Sequence, residues 1–112
     1  MSQITTHILD LSLGMPARGV AAILYRGTGA DRTELGQGVT DTDGRISRWL
    51  GDETLPGGTY SIIFASGRYF ADRGVDTFYP HVEIVFGIAE GGAHYHVPLL
   101  LSPWGYSTYR GS

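Results

Sequence analysis

Two histidines from opposite ends of this 112-residue chain are suited to acid–base chemistry. His7 lies in an alternating segment whose other face carries isoleucines, and His96 lies in one whose other face carries Tyr95, Val97 and Leu99. An imidazole near neutral pH takes a proton from water and returns it to a leaving group, which contributes about 10²–10⁴ in rate. The alternative is that each is an ordinary, partly exposed surface histidine.

Two arginines add groups suited to an anionic or carbonyl-rich planar substrate. Arg45 follows the turn Asp41-Thr42-Asp43-Gly44, and Arg110 lies near the C-terminal end. A guanidinium binds such groups in a fork and stabilises a developing oxyanion. Tyr109 could stack on a planar ring, and Ser112 offers a hydroxyl. No Gly-x-Ser-x-Gly elbow surrounds any serine, so attack by activated water is the simpler scheme. Solvated strand-end charges and ordinary packing remain the alternatives for the arginines and the tyrosine.

A metal site is a weaker interpretation of the same histidines. His94 and His96 share a strand face and could supply two ligands, with His7, His81 or a carboxylate completing the set. Zinc usually takes three or four protein ligands, and no such set is evident from the spacing. We therefore predict neither a metal nor another cofactor, with His81 and His94 as bystanders.

The elements that must position these residues are short strands separated by Gly, Pro and Asp turns at regular spacing. A helix of one or two turns is predicted only within residues 67–76. Pro98 lacks an N–H, so its strand is expected at a sheet edge or at a bulge. The pattern predicts an all-β fold, a two-sheet β-sandwich of about eight strands with one short helix. The segments with strand character are residues 4–10, 19–26, 33–40, 46–50, 59–66, 82–88, 94–101 and 106–110.

Composition excludes several classes of protein. The chain has no cysteine, which removes disulfides, thiolate metal sites and cysteine nucleophiles. Its eight basic residues are all arginines scattered along the sequence, and the net charge is -3, which argues against a nucleic-acid partner. No apolar run approaches the ~20 residues of a membrane span, and no N-terminal signal is evident. We expect residues 1–112 to form one domain of a soluble, cytoplasmic protein.

Several motifs resemble those of the transthyretin-related 5-hydroxyisourate hydrolases. The chain opens with His7-Ile8-Leu9-Asp10, carries Asp41-Thr42-Asp43-Gly44-Arg45 in the middle, and continues from Tyr95-His96-Val97-Pro98 to the ending Tyr109-Arg110-Gly111-Ser112. The similarity spans nearly the whole chain with the motifs in the same order. The C-terminal tetrapeptide is the most specific, because it separates the hydrolases from transthyretin, the hormone carrier of the same fold.

The resemblance implies a fold, an assembly and a reaction. The expected fold is a transthyretin-like β-sandwich forming a homotetramer, with the sites at the interface between dimers. The expected reaction is hydrolysis of the cyclic amide of 5-hydroxyisourate in urate breakdown, which gives 2-oxo-4-hydroxy-4-carboxy-5-ureidoimidazoline. Carried over by position, the catalytic residues are His7, Arg45, His96 and Ser112. The substrate-binding residues by the same reasoning are His7, Arg45, Tyr109, Arg110, Gly111 and Ser112.

Two non-enzymatic alternatives remain at this point. A transthyretin-like carrier would bind a small hydrophobic ligand in the same channel, and a purely structural sandwich would bind none. A carrier has no need of paired histidines, an arginine and the Tyr-Arg-Gly-Ser ending, so those residues favour the hydrolase.

Overall fold

The computed structural model describes residues 2–112 as two β-sheets packed face to face, with one short α-helix and one 3₁₀ turn at Gly29–Asp31. This confirms the predicted two-sheet sandwich, with nine strands in the described residues where about eight were expected. In chain order the strands are β1 (Ile4–Asp10), β2 (Met15–Pro16), β3 (Ala21–Arg26), β4 (Thr33–Val39), β5 (Arg45–Ile46), β6 (Gly58–Phe64), β7 (Val82–Ile88), β8 (Tyr95–Ser102) and β9 (Gly105–Thr108). The helix α1 (Ser66–Ala71) follows β6. It begins one residue before the segment 67–76 in which a short helix was predicted and ends within that segment.

The first sheet has the strand order β2-β1-β8-β9, with β5 also paired to β1, and the second has the order β4-β3-β6-β7. The pairing of β1 with β8 is parallel and runs from Ile4 opposite Tyr95 to Asp10 opposite Leu101. The other strand pairs described are antiparallel. The parallel pair therefore places segments some ninety residues apart in sequence side by side.

The core lies between the inner faces of the two sheets. Ile4 and Ile8 of β1 are fully buried while His7 between them is only partly buried, as the alternation predicted. In β8 the residues Leu99 and Leu101 are buried in the same way. The second sheet contributes the large buried side chains opposite them, which are Leu24, Tyr60, Ile62, Phe64 and Val82.

A buried carboxylate fixes the end of β1 to the helix. Asp10 is 1% exposed, and its side chain accepts the amides of Ser12 and Leu13 and the hydroxyl of Tyr69, the last at 2.7 Å. Burial, together with the hydrogen bond to Asp10, raises the pKa of Tyr69 to about 12. The phenol therefore stays protonated and continues to donate to Asp10, which holds the end of β1 in place.

Pro98 is expected at a sheet edge or at a bulge. The edge expectation is wrong for the strand as a whole, because β8 lies between β1 and β9. The ladder with the C-terminal segment is instead interrupted there: it runs to Leu99 opposite Thr108 and resumes only at the bridge of His96 with Gly111. The Thr108 hydroxyl donates to the Pro98 carbonyl at 2.7 Å. The ladder between β8 and the tail is thus broken at Pro98, beside the histidines.

The strand expected at residues 46–50 is shorter than predicted. Pairing with β1 ends at Ile46. The Ser2 hydroxyl oxygen then accepts the amides of Trp49 and Leu50 at 3.1 and 3.0 Å, so these amides bond to a side chain rather than to a strand. Local hydrogen bonds of this kind compete with sheet ladders.

Candidate active site

The two histidines meet on the outer face of the first sheet. In the parallel register Thr5 lies opposite His96, and His7 lies opposite Pro98. The ring centroids of His7 and His96 are 6.5 Å apart, with their planes inclined by 31°. Two imidazoles at this separation can act on one small molecule or one water between them.

Arg45 reaches the same place through a tight turn. The Asp41 carboxylate accepts the amides of Asp43 and Arg45 at 2.9 and 3.0 Å, and the backbone hydrogen bond from Arg45 is the main cause that lowers the pKa of Asp41. Gly44 adopts a φ of 75°, which favours glycine, and its carbonyl accepts the Ile8 amide at 2.7 Å. This turn delivers Arg45 to the position opposite His7 in the sheet.

A cavity of about 390 Å³ opens on this face. It contains Arg45, His96 and Ser112, three of the residues predicted to be catalytic, and the ring of His7 lies beside His96. The remaining residues that line the cavity are Thr5, Thr6, Ile46, Ser47 and His94. The cavity therefore combines imidazoles, a guanidinium and hydroxyls on one side of the sandwich.

His96 is held in its neutral form. Partial burial is the largest cause that lowers its pKa below the usual 6.5, and the positive charge of Arg45 and the neighbouring His7 and His94 lower it further. A hydrogen bond with the Thr5 backbone acts in the opposite direction but is the smallest cause. A neutral imidazole near pH 7 can accept a proton from water, which is the property a general base requires.

Gly111 lets the C-terminal tail cross the ring of His96. Its amide donates to the His96 carbonyl at 2.9 Å. A Cβ at position 111 would lie 3.2 Å from His96 Cγ and 2.6 Å from Cδ2, and the second distance is shorter than real Cβ contacts. The absence of a side chain therefore permits the close crossing, and the next residue, Ser112, lines the cavity.

Tyr109 and Arg110 lie elsewhere in the single chain. The Arg110 guanidinium carbon is 4.5 Å from the centroid of the Tyr95 ring, and Tyr109 is 58% exposed. Both line a second cavity of about 270 Å³ between β7 and the C-terminal hairpin, and His96 lines this cavity as well as the first. One chain does not bring them to Arg45 and Ser112, so their substrate-binding roles stay predictions.

Sequence reasoning missed two residues of this site. Thr5 lies on the same strand face as His7, as the alternation predicted, but its contact with His96 depends on the strand register. His94, expected to be a bystander, lines the cavity, whereas His81 is exposed and outside it. The His-x-His spacing was the available signal for His94.

Residues 2–112 contain no cluster of three or more histidine, aspartate or glutamate side chains placed to hold a metal ion. Among the helices of the same residues, none has the length and apolar character needed to cross a membrane.

The chain belongs to the HIUase/Transthyretin family, whose model matches residues 4–111. A Caenorhabditis elegans protein described as a probable 5-hydroxyisourate hydrolase is 46% identical over 99% of this chain and 82% of its own length. A solved 5-hydroxyisourate hydrolase from Klebsiella pneumoniae has a TM-score of 0.85 at 38% identity, covering 97% of this chain and 92% of that one. Sea bream transthyretin, solved in complex with thyroxine, has a TM-score of 0.90 at 33% identity over 98% and 95%.

Overall shape does not separate the two branches of this family, because the transthyretin superposes at least as well as the hydrolase. The residues on the outer face of the first sheet must make the distinction.

Replacing Gly111 with alanine is expected to displace the ring of His96, because the added methyl group overlaps it. The NMR signals of the His96 imidazole report the change. Gly105→Ala is the matched control in the same hairpin, since its nearest atom outside adjacent residues is Ser102 Oγ at 4.0 Å. Equal His96 shifts in the two variants would contradict the close approach.

Proposed function

We propose that this chain hydrolyses 5-hydroxyisourate, as a single-domain cytoplasmic enzyme. The observation that carries the proposal is the convergence of His96, Arg45 and Ser112 on one cavity beside the His7 ring. Family membership and the solved Klebsiella pneumoniae hydrolase support it. The reaction opens the cyclic amide and gives 2-oxo-4-hydroxy-4-carboxy-5-ureidoimidazoline.

The site chemistry favours hydrolysis over ligand carriage. A carrier for a hydrophobic ligand gains nothing from a neutral imidazole beside a guanidinium, and burying such groups unpaired opposes binding. Amide hydrolysis needs a base for water, an acid for the leaving nitrogen and a cation for the oxyanion. The cavity and its rim provide each of these groups.

Each group has a role in the proposed mechanism. His7 and His96 position the attacking water and remove its proton, and one of them protonates the departing nitrogen. Arg45 polarises the attacked carbonyl and stabilises the oxyanion that forms there. The Ser112 hydroxyl and the Gly111 backbone orient the planar ring. Tyr109 and Arg110 contact the substrate only if assembly of the tetramer brings them to the cavity of a neighbouring subunit.

Asparagine at position 7 or 96 is expected to reduce turnover of freshly generated 5-hydroxyisourate by about 10²–10⁴, because an acid–base group is lost while a polar side chain remains. The substrate is made in place from urate and uricase, and its ultraviolet absorbance is followed. His81→Asn, at an exposed position outside the cavity, is the matched control and should retain wild-type turnover. Near-normal turnover in both site variants would remove the acid–base assignment.

The pH dependence tests the coupling of Arg45 to His96. His96 must be neutral to accept a proton and its pKa is lowered, so kcat/KM should persist as pH falls to 6.5 and drop only below it. Arg45→Gln removes a positive charge that lowers this pKa, so the acid limb of the profile should move to higher pH. Arg45→Lys keeps the charge and should leave the limb in place. An unmoved limb in the glutamine variant argues against the coupling.

We propose further that the chain forms a homotetramer with the sites at the interface between dimers. The outer face that carries His7 also carries the paired leucines Leu9 and Leu100, both partly exposed. The adjacent β1–β2 turn adds Leu11 and Leu13, which are 55% and 59% exposed. An exposed apolar area on the sheet face that also carries His7 is typical of a covered interface.

Leu100→Glu places a charge in this face and is expected to split tetramers into dimers and reduce turnover. Light scattering after size exclusion gives the mass. Val39→Glu is the matched control, because Val39 is 62% exposed on the second sheet. A wild-type protein that is monomeric at assay concentration contradicts the tetramer directly.

A further inference from the structure

One hydroxyl connects the base of the proposed mechanism to a second histidine. Thr5 Oγ1 lies 2.8 Å from His96 Nδ1 and 3.1 Å from His94 Nε2. Thr5 is 6% exposed, whereas His94 is exposed to solvent. Three side chains therefore form a chain of hydrogen bonds that leads from the partly buried His96 to the surface.

The backbone holds this arrangement in place. The parallel register puts Thr5 opposite His96, so their side chains share the outer face. Gln3 fixes the segment on either side of His94: its side-chain amide donates to the Ala93 carbonyl at 3.0 Å, and its own carbonyl accepts the Tyr95 amide at 2.8 Å. His94 thus meets Thr5 through an ordered segment rather than by a chance contact of an exposed ring.

A threonine hydroxyl has one proton, so the chain has two possible directions. In the first, His96 Nδ1–H donates to Thr5 and Thr5 donates to His94 Nε2. The free Nε2 of His96 then carries a lone pair and acts as a base. In the second direction His94 donates to Thr5, Thr5 donates to His96 Nδ1, and Nε2 of His96 carries the proton and acts as an acid.

We propose that Thr5 and His94 are positioning residues that set the tautomer of His96 and reverse it during the reaction. The proposal rests on the hydrolase function above. We assign the first direction to the resting enzyme, because it leaves Nε2 of His96 with the lone pair that a base for water requires. The catalytic contacts with substrate remain those of His7, Arg45, His96 and Ser112.

The proton balance closes over one turnover. When His96 Nε2 takes a proton from the attacking water, the Nδ1 proton moves to Thr5 and the Thr5 proton moves to His94, which becomes an imidazolium. The water oxygen forms its bond to the carbonyl carbon. His96 Nε2–H then protonates the departing nitrogen as the C–N bond breaks, and the two relay protons return from His94 to His96. The net transfer is one proton from water to the leaving nitrogen.

The charges around His96 support the direction of this transfer. Arg45 from β5 and His7 from β1 face the ring, and both disfavour an imidazolium there. Moving the positive charge to the exposed His94 places it in water, where it is better solvated. The tail that crosses His96 contributes the Ser112 hydroxyl to the cavity.

Imidazole ¹⁵N chemical shifts give the tautomer of His96 without substrate. The wild-type protein should show the Nδ1–H form. Thr5→Val keeps the side-chain shape but loses the hydroxyl, so a mixture of tautomers is expected. His94→Leu removes the acceptor, so Thr5 should donate to His96 and reverse the tautomer to Nε2–H. Thr5→Ser should restore the wild-type form.

Variants that change the tautomer of His96 should also have a lower kcat. We expect Thr5→Val and His94→Leu to lower kcat about ten- to hundredfold, less than the loss of the imidazole itself, with KM little changed. Thr40→Val is the matched control, because Thr40 is another buried hydroxyl that bridges two groups, the Val20 amide and the Ala17 carbonyl, away from any histidine contact. It should lose stability but keep the His96 tautomer.

Failure of the Thr5–His94 relay and failure of the hydrolase function would give different results in these experiments. If the wild type hastens decay of 5-hydroxyisourate but His94→Leu keeps the Nδ1–H tautomer and full kcat, the relay is wrong and the hydrolase stands. If the wild type has no effect on that decay, the hydrolase function fails whatever the tautomer. A tautomer mixture in the wild type equal to that of Thr5→Val also overturns the relay.

Discussion

The parallel pairing of β1 with β8 is the constraint on which the site depends. It puts Thr5 opposite His96 and His7 opposite Pro98, and the same register buries Ile4, Ile8 and Leu99 in the core. Because side chains alternate along a strand, a slip of one residue would turn His96 inward and expose its apolar neighbours. The free energy of core packing therefore also sets the geometry of the imidazoles.

The strand faces could be predicted from sequence because they depend on local alternation. Ile4 and Ile8 inward with His7 outward, and Val97 and Leu99 inward with His96 outward, follow from a period of two. The contact between Thr5 and His96 could not be predicted in this way, since it joins residues 91 apart and depends on which strands pair and in which register. Nothing local to either strand contains that information.

The C-terminal motif could be recognised from the sequence, but the positions of its side chains could not be predicted from it. The motif is continuous in sequence from Tyr109 to Ser112, yet Tyr109 and Arg110 line one cavity and Ser112 lines the other. Pro98 interrupts the ladder, Arg110 packs on Tyr95, and Gly111 returns to β8 across the His96 ring. The path of the tail beside β8 decides which cavity each side chain lines, so adjacency in sequence does not place these residues in a common site.

The parallel pair also determines when the active site can exist during folding. Its hydrogen bonds join residues about ninety positions apart, so chain entropy opposes their formation until the intervening strands have collapsed. During synthesis β1 emerges long before β8 and has an open edge until β8 arrives. Catalytic activity should therefore appear late in folding. Its appearance would report complete folding rather than the formation of an early intermediate.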